Sequence, residues 1–175
     1  MVSDETDSGS DSTPLLSGDP AALSQFIENM GLYFEDYGIP RIGGRILGLL
    51  LVARRPVSPE EMSEVLQVSR SSISTNLRSL LMAGLVERVS LPGERSDYYV
   101  FSDEAWERSL EMRLEGIQAL QEIAEEGLNG LGLETSHPAR ERLQEMLAWT
   151  AMVQDAYRKL LEAWQSRKEV PAKAD

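Results

Sequence analysis

The sequence predicts a mainly α-helical protein with one small β-hairpin, and three observations predict it. Apolar residues recur at three- and four-residue steps through most of the chain, the period of helices with one buried face. β-forming residues cluster only in two short segments, 85–89 and 98–101, on either side of a Pro92-Gly93 turn. Between 58 and 101 the order is helix, tight turn, helix, then a hairpin with a charged tip. That order is a winged helix-turn-helix, and the long helices after it suit dimerisation.

Each element has its own signal. Asp19 and Pro20 open the first helix as N-cap and first-turn proline, and Gly38 ends it. Leu23, Phe26, Ile27, Met30, Tyr33, Phe34 and Tyr37 follow at helical spacing. Pro40 opens a second helix with Ile42, Ile46, Leu49, Leu50 and Ala53 on one side. Ser58-Pro59-Glu60-Glu61 is a capping box, in which serine and glutamate each satisfy the other's free backbone N–H. Val68-Ser69 forms the turn, with Ser69 capping the next helix, 70–83, and Gly84 supplies its left-handed end. Ile73, Leu77, Leu80 and Leu81 mark that helix's buried face. A long helix follows over 103–127, striped by Trp106, Leu110, Leu114, Ile117, Leu120, Ile123 and Ala124. After a break at 127–132 comes another, 138–167, striped by Leu143, Leu147, Val153, Tyr157, Leu160, Leu161 and Trp164. Long amphipathic helices with no sheet to cover must bury their stripes on other helices, and a second copy is the simplest source.

The expected organisation is an acidic, disordered tail over 1–18, an N-terminal dimerisation helix over 19–39 and a winged helix-turn-helix over 40–102. Long C-terminal dimerisation helices over 103–168 and a flexible tail over 169–175 complete it. The chain contains no cysteine, which excludes disulfides and thiolate metal sites and fits a cytoplasmic protein. It has neither an apolar run long enough to span a membrane nor a basic-then-apolar leader.

A net charge of −12 argues against nucleic acid as a partner until its distribution is considered. Between 40 and 102 eight arginines face six acids, so the excess of acid lies entirely elsewhere. Phosphate affinity follows the local field, because salt screens charges beyond about 8–10 Å. Around the second helix of the turn, Ser69, Arg70, Ser71, Ser72, Ser74, Thr75 and Arg78 offer short hydroxyls and cations suited to phosphates and base edges. A plain solvated helix face has the same composition; the hairpin beside it favours double-stranded DNA. Asn76, at the edge of the apolar stripe, suits a backbone bond as well as a base contact. Arg95 at the wing tip suits a narrow minor groove, unless Asp97 or Glu94 neutralises it, and Arg88 is a further phosphate candidate.

Leu66-Gln67-Val68-Ser69-Arg70-Ser71-Ser72-Ile73-Ser74-Thr75-Asn76-Leu77-Arg78, with Gly84-Leu85-Val86-Glu87-Arg88-Val89 and the upstream Gly-Ile-Pro-Arg-Ile-Gly-Gly-Arg run, resembles the GbsR branch of the MarR-type winged-helix regulators. The resemblance implies a homodimeric transcription factor, usually a repressor, with relatives that sense choline-type compounds. It also implies an effector site where the DNA-reading module meets the dimer helices. Tyr33, Tyr37 and Trp106 are the aromatic candidates there for a quaternary ammonium ligand held by cation–π attraction; core packing is the other role open to them. A winged helix that docks proteins and not DNA is the alternative function.

Catalysis is not expected. His137, the only histidine, stands before Pro138 at a helix start, where capping is the natural role. Glu125-Glu126 and Asp103-Glu104 are neighbours along helices and diverge. Arg41-Ile42-Gly43-Gly44 lacks the Lys-Ser/Thr of a phosphate loop. No cofactor and no metal are expected.

Overall fold

The computed structural model describes residues 14–169. Two compact units divide the chain, one ending at Asp103 and the other beginning at Glu104. The expected tails lie outside the described residues at 1–13 and 170–175.

In the first unit, α1 (Pro20–Glu35), α2 (Arg41–Val52), α3 (Pro59–Leu66) and α4 (Arg70–Met82) precede a hairpin of β1 (Val86–Val89) and β2 (Tyr98–Phe101). The strands are antiparallel, with Val86 opposite Phe101 and Val89 opposite Tyr98. Val57 adds a one-residue third strand by exchanging two 2.9 Å backbone bonds with Tyr99. α2 runs through the centre, where Ile46, Leu47 and Leu49 have almost no exposure, as do Met62, Leu66 and Ile73 from α3 and α4. Each such side chain contributes about 1.5–3 kcal/mol.

Local chemistry places these elements. Asp19 accepts from the Ala22 amide at 3.0 Å. Ser58 accepts from the Glu61 amide at 3.2 Å, while the Glu61 carboxylate accepts from the Ser58 amide at 2.9 Å. α1 stops at Glu35, two residues short of Tyr37, which lies in the turn leading to Gly38 (φ 83°). α1 packs on α2 through glycines. A Cβ on Gly44 would stand 2.7 Å from the Met30 carbonyl oxygen, and one on Gly48 2.9 Å from the Met30 side chain. The Gly-Gly run is therefore a close helix crossing. Residues 14–18, expected within the tail, lie against this unit instead: the Leu15 carbonyl accepts from the Arg54 amide at 3.0 Å, and Leu15 and Leu16 are half-buried.

The second unit is a helix pair, α5 (Ala105–Gly130) and α6 (Pro138–Glu169). α5 runs past the expected break, because a helix tolerates Gly127 where a close neighbour leaves no room: a Cβ there would lie 3.3 Å from Leu143. The true turn holds Gly132 at φ 60°. His137 caps α6, its Nδ1 accepting from the Ala139 amide at 3.1 Å. The predicted stripe of α6 needs one correction. Thr150 and Gln154 are buried while Leu160 is 54% exposed. The polar pair is satisfied internally: Thr150 donates to the Leu147 carbonyl at 3.0 Å, Gln154 bonds Gln121, and Arg158 donates to Gln154 at 2.8 Å.

Candidate nucleic-acid interface

Helix α4 starts at a serine cap. Ser69 Oγ accepts from the Ser72 amide at 3.3 Å and lies 3.0 Å from the Ser71 hydroxyl. Before it, Gln67 takes a left-handed conformation at φ 53°, the sharp turn between the two helices. That turn is held from behind. Arg45 on α2 donates from Nη2 to the Leu66 carbonyl at 2.8 Å, and its Nε pairs with Glu28 on α1 at 2.6 Å. The sequence reading missed this support; its one signal was an arginine inside an otherwise apolar helix.

With Ile73, Leu77 and Leu80 buried, α4 turns Arg70, Ser71, Ser74, Thr75 and Arg78 outward. These five form one exposed face together with the Ser69 cap. Ser72 and Asn76 do not share it: both are half-buried, and Asn76 Nδ2 donates to the Ser72 carbonyl at 2.9 Å. The Asn76 Oδ1 lies 3.1 Å from the Cβ position of Gly43, which turns the side chain toward α2.

The arginines divide into two groups. Arg41 and Arg45 both pair with Glu28, Arg55 with Glu61 at 2.6 Å, Arg70 with Glu60 at 3.3 Å and Arg88 with Asp97 at 3.4 Å. The local arginine excess is thus largely compensated, and part of it is structural. Arg54, Arg78 and Arg95 are exposed and make no side-chain ion pair or hydrogen bond among the described residues. Of the two carboxylates that could have neutralised Arg95, Asp97 pairs with Arg88 and Glu94 accepts from the Tyr98 hydroxyl. Gly93, at φ 85°, makes the wing turn.

Glu61 is the one shifted carboxylate here. Burial alone would raise its pKa, but the Arg55 guanidinium and the bonds from Ser58 outweigh burial and hold it below its ordinary value. It remains ionised and fixes the start of α3, which carries the turn.

The aromatic candidates separate. Tyr33 and Tyr37 have ring centroids 4.8 Å apart and are 53% and 55% exposed, so neither is core packing within this unit. Trp106 belongs to the second unit and is also exposed. No group of three or more His, Cys, Asp or Glu able to hold a metal ion occurs among the described residues. No helix among them is long and apolar enough to cross a membrane.

The profile of the MarR family matches residues 37–95, and that of MmpR5-like MarR family transcriptional regulators matches residues 104–167. The HTH-type transcriptional regulator MmpR5 of Mycobacterium tuberculosis is 37% identical over 125 residues, which span 71% of this chain and 75% of that protein. The HTH-type transcriptional repressor OpcR of Bacillus subtilis is 31% identical over 78 residues, 45% of this chain and 42% of its own length. The crystal structure of a transcriptional regulator, 33% identical, superposes with a TM-score of 0.70 over 83% of this chain and 99% of its own. These relatives are regulators and not enzymes. With the winged helix-turn-helix and its outward α4 face, the likeness over three quarters of MmpR5 settles the family: the chain belongs to the MarR family of DNA-binding transcriptional regulators.

Proposed function

We propose that the protein binds duplex DNA as a homodimer, with α4 in the major groove and Arg95 at the adjacent minor groove or its phosphates, and that it represses transcription until a small-molecule effector releases it. One observation carries the reading: the outward face of α4 joins short hydroxyls to an uncommitted Arg78, beside a wing whose Arg95 is also uncommitted. A free guanidinium keeps its donors for phosphate or guanine, where a paired one must first give up its carboxylate.

Pairing of two copies is supported by apolar side chains on α6 that α5 leaves uncovered. Trp149, Met152 and Leu160 fall on one side of α6 at 47%, 64% and 54% exposure. A two-fold pair would set two α4 helices about one DNA turn, ~34 Å, apart. Repression is supported by the likeness to the repressor OpcR, and the GbsR branch by the Gly-Ile-Pro-Arg-Ile-Gly-Gly-Arg run. The exposed Tyr33–Tyr37 pair offers ring faces to a quaternary ammonium effector, worth about 1–2 kcal/mol when desolvated. A cytoplasmic site of action follows from the DNA reading. The protein-docking alternative keeps only the overall acidity in its favour.

A gel-shift with duplexes selected from a random pool tests this. The expected result is a complex containing two chains, with unselected DNA competing at least about 1,000-fold less well. Equal competition by unselected DNA would overturn sequence-specific regulation.

A further inference from the structure

The outward face of α4 is a cationic surface that its own unit leaves uncovered. Arg78 makes no ion pair or hydrogen bond among the described residues. Arg70 meets Glu60 at 3.3 Å, with both side chains well exposed. α4 itself contains no acid. The same unit begins with a segment of opposite character. Residues 1–13 hold Asp4, Glu5, Asp7 and Asp11, no lysine or arginine, and six serines and threonines. Met1 and Val2 are their only apolar side chains, so charge and not burial decides what they bind. The chain that follows is fixed to the unit: the Leu15 carbonyl accepts from the Arg54 amide at 3.0 Å, and Leu15 and Leu16 are half-buried. A unit of about 100 residues has a radius of gyration of about 13 Å, so it is about 33 Å across. A segment of thirteen residues reaches up to about 43 Å, enough to bring its acids to α4.

We propose that, without DNA, the acidic 1–13 segment docks on the outward face of α4, with its carboxylates on the Arg78 and Arg70 guanidiniums, and that a duplex must displace it. The occupant follows from charge and reach. A carboxylate satisfies guanidinium donors as a phosphate does, and serine and threonine oxygens add further acceptors. Each exposed pair is weak alone, but the tether holds the segment at an effective concentration of a few mM. A segment with an untethered Kd of about 1 mM would then cover the face most of the time and lower DNA affinity about threefold. Selected and unselected duplexes need the same face, so both are weakened by the same factor. The contact is an electrostatic threshold on DNA binding, and salt relaxes it. Its consequence for DNA rests on the DNA reading above; the docking itself does not.

The test uses the full chain. It contains no cysteine, so Ser3→Cys gives a single attachment point for a nitroxide. In low salt the label should broaden the amide resonances of residues 70–78 more than those of the rest of the first unit. The broadening should vanish when a selected duplex is added. It should also vanish in the variant Asp4→Asn, Glu5→Gln, Asp7→Asn, Asp11→Asn. By fluorescence anisotropy that variant should bind selected and unselected duplexes about threefold more tightly than the parent at about 50 mM salt, with the gain nearly gone at about 200 mM. Broadening spread evenly over the unit, or centred away from α4, would overturn the docking. A gain in affinity without broadening at 70–78 would mean long-range repulsion of DNA by the segment and would overturn it too. Broadening that persists with duplex bound, or unchanged affinity in the neutralised variant, would overturn the competition. Because the label is read without DNA, failure of the docking is distinct from failure of the gel-shift.

Discussion

Arg78 and Arg95 differ from Arg41, Arg45, Arg55, Arg70 and Arg88 in making no ion pair among the described residues. Arg95→Ala should therefore weaken binding to all duplexes alike and reduce the slope of log affinity against log salt by about one, read by fluorescence anisotropy. Arg78→Ala should in addition change the preference among selected sites, which random-pool reselection detects. Arg88→Ala should do less than either, since its charge is already shared with Asp97. Glu61 acts on stability. Its folded pKa lies below the ordinary value, so the ionised form stabilises the fold at neutral pH. That contribution is present above the ordinary carboxylate pKa and is lost as pH falls through the lowered folded pKa. Glu61→Gln should flatten the acid limb of a thermal-melting profile, and Ser58→Ala should cost about 1 kcal/mol in urea unfolding.

Between α1 and α2 the contact is made by absent side chains. Gly44→Ala drives a methyl into the Met30 carbonyl and the α1 backbone, and should destabilise by about 1–3 kcal/mol. Gly116, mid-helix in α5 with nothing within 4 Å of its Cβ position, behaves oppositely: Gly116→Ala should stabilise by about 0.5–1 kcal/mol. Urea melts of both variants check the pair. The same contrast explains what the sequence could reveal. Asp19, Ser58, Ser69 and Gly84 act within their own helix ends, so their roles can be read without a fold. Val57 becomes a strand only because Tyr99 comes to it from forty-two residues away. Thr150 and Gln154 look like surface residues until Gln121 and α5 are placed beside them. The outward face of α4 was legible from helical spacing. The pairing that sorts its arginines from the others was not, because Glu28 and Glu60 sit on different helices from their partners.

For the assembled molecule, the uncovered side chains of α6 carry the expectation of a dimer. Leu160→Glu places a charge on that surface and should turn a dimer into a monomer by analytical ultracentrifugation, with α-helical circular dichroism largely kept. The monomer should lose DNA affinity by a large factor, since one α4 meets half of a two-fold site. Two α4 helices on one face of the duplex leave a distinct chemical signature. Dimethyl sulfate methylates guanine N7 in the major groove and adenine N3 in the minor groove, so methylation interference on a selected duplex reads both parts of the interface at once. The expected pattern is two clusters of interfering guanines about 10 base pairs apart, with interfering adenines flanking them where the Arg95 wings lie. A single cluster, or none at guanine N7, would contradict paired reading of the major groove by α4.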